Sequence, residues 1–368
     1  MFDLLFESVS VNGLCLPNRL VRSATYDGAA DSNGRVTDGQ IKLFENLARG
    51  GTGLIISGIA SVHPTGRISA FQLDLSDDTC LPGLRRLTRA VHNQGRSVAA
   101  QLFHAGREGH NYQQYWNRTA PAPSAIENDP SWQLPHRALS EDEILEIIRS
   151  FGEAARRVRE AGFDALQIHA AHAYLFSQFL SPLTNQRSDA WGGALDNRLL
   201  LHREVYRQVR SAVGDDFPLM IKLGVQDGFS GGLELPEGLA AARACAEWGF
   251  DAIEVSQGLR GRSYQETEFR TDLKTPDRQG YFKDWSQAVK KRVSVPVIMV
   301  GGLRSPEMME QLIQDGQADL LALCRPLIRE PDIVRRWKMG QAQDSACISC
   351  NKCYEAVRKG PLRCVFQD

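Results

Sequence analysis

Short apolar runs alternate with longer amphipathic segments over most of this chain. Runs such as 165–168 (ALQI), enclosed by turn residues, predict buried β-strands, whereas 140–151 carries apolar residues at helical spacing behind a capping box formed by Ser140 and Glu143. The same pattern predicts strands at 19–24, 53–58, 97–103, 165–168, 218–223, 253–256, 296–300 and 320–324. It predicts helices at 40–50, 77–94, 141–161, 195–213, 236–248, 283–293 and 306–315.

A repeated turn sequence indicates how these elements are arranged. Gly-Phe-Asp-Ala occurs at 162–165 and again at 249–252, each time between a predicted helix and a predicted strand, and a looser copy lies at 315–319. Eight strand–helix units in regular alternation favour an α/β fold of the (β/α)8 TIM-barrel type over an open doubly wound sheet. We expect this barrel to span residues 1–340 and a short Cys-rich segment to occupy 341–368.

One long segment interrupts the alternation. Residues 104–139 contain two tryptophans and several prolines, and a connection of this length is typical of a functional loop. We expect it to cover a pocket.

Composition narrows the class of ligand. With 368 residues, 42% of them hydrophobic, the chain has enough apolar side chains for a large core. Lys and Arg number 43 against 44 Asp and Glu, so no charge excess favours nucleic acid or an anionic membrane. No apolar run is long enough to span a bilayer and the first residues do not resemble a signal peptide. We therefore expect a cytoplasmic protein, a homo-oligomer, that acts on a small molecule.

Three polar rings follow the fourth predicted strand. His169, His172 and Tyr174 lie within six residues of one another just after 165–168. In a parallel α/β barrel the loops at the carboxyl ends of the strands converge on one rim, which carries the chemistry. The sequence therefore predicts two imidazoles and a phenol in a common pocket.

A second feature lies after the last two strands. Gly301 and Gly302 follow the seventh strand, and Cys324 and Arg325 follow the eighth. In barrels this pair of loops often binds phosphate, glycines allow close approach of the backbone, and arginine supplies a fixed cation. The combination indicates a phosphorylated cofactor.

These motifs together resemble the Old Yellow Enzyme family of FMN-dependent ene-reductases over residues 3–340. The matching stretches are 17–23 (PNRLVRS), 101–107 (QLFHAGR), the element with His169, His172 and Tyr174, 181–187 (SPLTNQR), 192–193, 197–198, 300–302 (VGG) and 324–326 (CRP). The resemblance implies that FMN is bound and that NAD(P)H is the electron source. It implies a flavin ring surrounded by Ala24, Thr25, Gly58, Gln101 and Lys222, with the phosphate held near Gly301, Gly302, Cys324 and Arg325.

The resemblance also implies roles in catalysis. His169 and His172 would donate hydrogen bonds to the oxygen of an activated alkene, and Tyr174 would be the proton donor. Hydride addition to such an alkene leaves negative charge on the conjugated oxygen, where preorganised donors are effective. Lys222 lies in an apolar run, where a charged side chain requires a partner. We therefore do not expect it to be an ordinary surface lysine. Tyr26 departs from the small Thr or Cys of many relatives, which puts the flavin potential and the substrate shape in question.

Four of the eight cysteines are clustered at the end of the chain. Cys347, Cys350, Cys353 and Cys364 have a spacing typical of an iron–sulfur site. The segment resembles the one that binds a [4Fe–4S] cluster in trimethylamine dehydrogenase and bacterial 2,4-dienoyl-CoA reductase. A zinc site and unliganded thiols are the alternatives. Those relatives continue into a flavin and nucleotide domain; we expect none here, because the chain ends at Asp368, and we expect a partner reductase instead.

Two other functions remain open from the sequence. A lyase or aldolase could use Lys222 as a Schiff-base amine and would need no flavin. An electron-relay subunit, or an amine-oxidising relative, could work with a partner reductase through the cysteine cluster.

Overall fold

Eight parallel strands form a closed barrel in this computed structural model, which describes residues 2–109, 119–127 and 132–366. The barrel strands are β1 Leu20–Arg22, β2 Leu54–Ser61, β3 Ser97–Phe103, β4 Ala165–Ala170, β5 Leu219–Gly224, β6 Ala252–Ser256, β7 Val297–Val300 and β8 Leu320–Leu323. Val21 pairs with Leu54, and Leu321 pairs with Leu20, so β1 joins β2 to β8 and closes the sheet. The predicted (β/α)8 barrel is confirmed.

Helices follow the strands, and the longer ones pack their apolar faces against the barrel. They are α1 Asp38–Arg49, α2 Leu81–His92, α3 Glu141–Glu160, α4 Leu175–Leu180, α5 Leu195–Arg198, α6 Leu200–Val213, α7 Leu235–Trp248, α8 Lys283–Lys290, α9 Pro306–Gln314, α10 Arg325–Arg329, α11 Ile333–Lys338 and α12 Lys352–Val357. The capping box before α3 is confirmed, with the Ser140 hydroxyl accepting from the Glu143 N–H. The helix predicted from residue 77 begins later, at Leu81, because Asp77 instead caps a 3-10 turn over Asp78–Cys80.

The inside of the barrel changes from apolar to polar along the strands. Near the amino ends, Ala99, Ala165, Met220 and Ala252 belong to one buried cluster, which also includes Val11 and Leu16 of the hairpin Val9–Val11 and Leu14–Leu16. Two residues further on, and thus on the same face of each strand, are Gln101, Gln167, Lys222 and Glu254. The barrel therefore has an apolar bottom and a polar floor facing its carboxyl end.

The Cys-rich segment packs onto that carboxyl end. The Leu362 N–H donates to the Asp27 carbonyl over 2.8 Å, and the Asn351 amide donates to the Phe269 carbonyl over 2.6 Å. Tyr354 stacks on Phe269 with ring centroids 5.3 Å apart. Within the described residues, no helix has both the length and the apolarity needed to cross a bilayer.

Candidate active site

A cavity of about 1050 Å³ lies at the carboxyl ends of the strands. It brings together most of the side chains singled out from the sequence, namely Ala24, Thr25, Tyr26, Gln101, His169, His172, Tyr174, Lys222, Gly301, Gly302, Cys324 and Arg325. Gly58 is different, because it is buried behind the Thr25 backbone: a Cβ on Gly58 would lie 2.8 Å from the Thr25 carbonyl oxygen.

The floor of the cavity is a chain of buried hydrogen bonds. Lys222 Nζ lies 3.0 Å from both Glu254 Oε1 and Ser23 Oγ, so the lysine has the partner that its apolar strand requires. Gln167 donates to Glu254 over 2.9 Å, and Gln101 donates to Gln167 over 2.6 Å. Gln101 Oε1 is buried and has no partner within the described residues, which leaves an acceptor for an N–H group of a bound ligand.

The three rings after β4 are clustered because the backbone turns sharply there. His172 and Ala173 have φ values of 61° and 64°, in the left-handed region. Their N–H groups donate to the carbonyls of Gln257 and Gly258, each over 2.9 Å, which holds this uncommon conformation in place. The His169 ring centroid consequently lies 4.9 Å from that of His172 and 5.0 Å from that of Tyr174.

Burial sets the protonation states of these rings. Desolvation, with a smaller contribution from the Lys222 cation, holds the pKa of His169 and the pKa of His172 well below the usual value, so both are neutral at neutral pH. The Ala171 N–H donates to His169 Nδ1 over 3.3 Å, which places the His169 proton on Nε2. His172 Nε2 lies 2.7 Å from Ser256 Oγ. Burial raises the pKa of Tyr174, so its phenol keeps its proton.

A partly buried ion cluster that the sequence analysis missed lies beside Tyr174. The Arg260 guanidinium is centred 5.0 Å from the Tyr174 ring and lies 2.7 Å from Glu268 and 3.2 Å from Glu108. Glu268 is also 3.8 Å from His172 Nδ1. These residues come from the loops after β3 and β6, where no motif marks them. Ser23, Gln167 and Glu254 were missed too, although a polar residue in an apolar strand is the same signal that marked Lys222.

At the opposite end of the cavity, two glycines expose their backbone and an arginine supplies a positive charge. Gly301 and Gly302 have φ values of 116° and 74°, and a Cβ on either would lie within 3.0 Å of the Tyr281 ring. The nearby Arg325 donates to the carbonyl of Arg270 and to Asn351 Oδ1, each over 2.7 Å. Cys324 Sγ lies 3.2 Å from Thr25 Oγ1.

The four clustered cysteines line one small second cavity, and Arg325 and Cys353 belong to the walls of both cavities. All four have free thiols. Across the described part of the chain, no group of three or more His, Cys, Asp or Glu side chains is close enough to hold one metal ion.

The long segment 104–139 contributes Glu108 to the cavity wall. Residues 110–118 and 128–131 lie outside the described residues, so a covering role for this segment stays a prediction.

Comparison with known proteins identifies the family. The NADH:flavin oxidoreductase / NADH oxidase family matches residues 4–344. The chain therefore belongs to this family of flavin-dependent oxidoreductases, which is the Old Yellow Enzyme family expected from its motifs.

Individual relatives differ in length. A metal reductase of Desulforamulus reducens is 35% identical over 367 residues, which is 99% of this chain and 53% of that protein. An NADPH dehydrogenase of Halalkalibacterium halodurans is 34% identical over 328 residues, covering 89% of this chain and 91% of that protein. The structure of 2-naphthoyl-CoA reductase with 2-naphthoyl-CoA matches with a TM-score of 0.91 and 27% identity, over 99% of this chain and 57% of that one. The chain thus spans about half the length of the first and third of these relatives.

Proposed function

We propose that this protein binds FMN and reduces an electron-poor C=C bond conjugated to a carbonyl group, with NAD(P)H as the source of electrons. The observation that carries the proposal is the arrangement of His169, His172 and Tyr174 on one wall of the cavity, with their neutral, proton-bearing forms favoured by burial. Bound FMN would supply the hydride.

The residues at the two ends of the cavity fit FMN. At the floor, the unpaired Gln101 Oε1 can accept from a ring N–H, and the Lys222 cation can stabilise negative charge on a reduced ring. Ala24 and Thr25 would border the ring. At the other end, the backbone of Gly301 and Gly302 and the Arg325 guanidinium, with Cys324 beside them, suit a phosphate group.

The chain's own side chains would perform the remaining steps. As negative charge develops on the substrate oxygen, His169 Nε2–H donates to it, and His172, oriented by Ser256, lies beside it. The Tyr174 phenol gives its proton to the carbon next to the carbonyl. Arg260, centred over the Tyr174 ring, then stabilises the phenolate until solvent restores the proton.

We also propose that Cys347, Cys350, Cys353 and Cys364 hold an iron–sulfur cluster. Their thiols share one cavity but are not grouped tightly enough for a single ion. Around one tetrahedral zinc, with Zn–S bonds of about 2.3 Å, the sulfurs would be roughly 4 Å apart. The spacing of the first three cysteines, with a fourth further along the chain, is an iron–sulfur spacing and supports the cluster over zinc. The electrons of such a cluster would be exchanged with the flavin or with a partner reductase.

Anaerobic purification tests both proposals. We expect a yellow-brown protein that releases FMN on heating, contains iron and labile sulfide, and, once reduced with dithionite, is reoxidised by 2-cyclohexenone with formation of cyclohexanone. A colourless protein would contradict the flavin proposal. A reduced protein that no enone reoxidises would contradict the reaction.

The same preparation separates the metal alternatives. Cys350→Ser should lose iron and sulfide but keep FMN, whereas Cys15→Ser, which changes an exposed thiol on the N-terminal hairpin, should lose neither. One zinc per chain, or no metal at all, would contradict the cluster.

A further inference from the structure

Arg325 forms part of the wall between the large cavity and the cysteine cavity. Within the described residues, the Arg325 side chain donates three hydrogen bonds, all from Nη1: to the Arg270 carbonyl at 2.7 Å, to Asn351 Oδ1 at 2.7 Å and to the Ser349 carbonyl at 3.4 Å. Nε and Nη2 therefore remain available to a ligand in the large cavity.

Asn351 fixes the path of the loop that carries three of the cysteines. It lies between Cys350 and Cys353, is only 5% exposed, and has a φ of 60°. Its side chain accepts from Arg325 and donates to the Phe269 carbonyl over 2.6 Å, so one amide bridges the cysteine loop, the cation of α10 and the loop after β6. Ser349 is also left-handed, with a φ of 55°. A loop with two such residues needs outside contacts to stay in this conformation.

We propose that the Asn351–Arg325 hydrogen bond couples the two sites, so that phosphate binding at Arg325 and cluster binding in the cysteine loop strengthen each other. This inference rests on the proposed function, since it takes FMN and the cluster as the two ligands. Asn351 is a positioning residue in this account, because it acts through Arg325.

The coupling follows from the conformational entropy that is lost when a long arginine side chain is held in one position. A cluster that orders the cysteine loop holds Asn351 in place, and Asn351 then holds the guanidinium before the phosphate arrives. By linkage, a phosphate that fixes Arg325 holds the loop for the cluster. With both groups bound, the guanidinium would stand between two anionic groups, the phosphate and the thiolates, and would offset their repulsion.

The test measures the dissociation constant of FMN, by quenching of its fluorescence, for flavin-free protein with the cluster intact and with the cluster removed. In the wild type we expect removal of the cluster to weaken FMN binding about tenfold, within the usual range of coupling between sites. Asn351→Gly permits the left-handed backbone but deletes the side chain. It should show weak FMN binding with or without the cluster. Asn351→Asp keeps an acceptor for Arg325 but loses the hydrogen bond to the Phe269 carbonyl, so it should retain part of the coupling.

A second measurement needs no variant. In the wild type, saturating FMN should slow the loss of iron to a chelator about tenfold. The coupling would be overturned by equal FMN affinities with and without the cluster, or by equal rates of iron loss with and without FMN. It would also be overturned if the Asn351→Gly protein showed the same coupling as the wild type. A wild type that contains no iron overturns the cluster proposal and the coupling with it, and the iron assay distinguishes that outcome from a loaded protein without coupling.

Discussion

His169 is ready to donate a hydrogen bond before any ligand arrives. The Ala171 N–H occupies Nδ1, and burial disfavours the imidazolium, so the single ring proton is on Nε2. The charge of Lys222, the residue paired with His169 on the neighbouring strand, is offset by Glu254 rather than by the histidine. A neutral donor of this kind loses little solvation when a carbonyl oxygen binds, which suits a site that must recognise developing negative charge.

Removing the His169 imidazole should weaken the binding of ligands that contain a carbonyl group. We expect His169→Ala to raise the dissociation constant of 2-cyclohexenone for the oxidised protein about fivefold, the effect of losing one hydrogen bond of about 1 kcal/mol. Titration followed by flavin absorbance measures it. His169→Asn, which keeps an N–H donor, is the matched control and should lie between the two; unchanged affinity in the alanine variant would remove His169 from the binding site.

His202 differs from His169 because its buried imidazole has no hydrogen-bond partner within the described residues. Both ring nitrogens lack hydrogen bonds within the described residues, and the ring packs against Phe176 with centroids 5.0 Å apart. Desolvation lowers the pKa of His202 to about 3. The unfolded chain therefore binds a proton below pH 6.5 that the folded protein binds only near pH 3, so stability is lost as the pH falls through this window.

Replacing His202 should reduce that loss. Relative to the wild type, His202→Leu should gain about 1.4 kcal/mol of unfolding free energy for each pH unit below 6.5, and the difference should be constant above pH 7. Urea unfolding at a series of pH values measures it. Parallel stability curves for the two proteins would show that His202 does not titrate on unfolding.

At the scale of strands, the alternation of side chains places the chemistry. Ala165, Gln167 and His169 lie at every second position of β4, so their side chains share the face that lines the inside of the barrel. Along this face, Ala165 belongs to the apolar bottom, Gln167 to the polar floor, and His169 is the hydrogen-bond donor above them. The eight strands could be predicted because each is a short apolar run between turn residues. The polar floor could also have been predicted from the sequence, because Glu254 interrupts an apolar strand in the same way as Lys222 does.

The loops at the barrel rim were less predictable. Glu108 and Arg260 are 152 residues apart in the chain and meet only because β3 and β6 deliver their loops to the same rim. Nothing local in either loop marks this ion pair. The pair Gly301 and Gly302, by contrast, could be found because both the doublet and its place after a strand are local features.

The glycine doublet provides a test at this scale. Gly302→Ala should weaken FMN binding at least tenfold, because its Cβ would lie 2.9 Å from Tyr281 Cδ1 at a φ of 74° and the backbone would have to move. Gly316→Ala is the matched control, since Gly316 has a φ of 65° but open space around it. It should lower stability by about 1 kcal/mol and leave FMN affinity unchanged. Equal FMN affinities in the two variants would argue against a cofactor at this turn.

For the molecule as a whole, the notable feature is that the Cys-rich segment completes the wall of the cavity. Asn351, Cys353 and Tyr354 line it together with barrel residues, although the family match ends at residue 344. The sequence indicates a metal site by cysteine spacing but gives no signal for where the segment packs, because its contacts are single hydrogen bonds and one aromatic stack with distant loops. The cavity and the cysteine site thus form one structural unit.

Tyr174 is the proposed proton donor to an alkene whose oxygen the two histidines hold. The most direct test follows the two halves of the reaction separately in Tyr174→Phe by stopped-flow absorbance under anaerobic conditions. FMN binding and reduction of the flavin by NAD(P)H should stay near wild-type values, while reoxidation by 2-cyclohexenone should slow by about 10² or more, the usual effect of losing a general acid. Reoxidation at the wild-type rate in Tyr174→Phe would show that Tyr174 is not the proton donor.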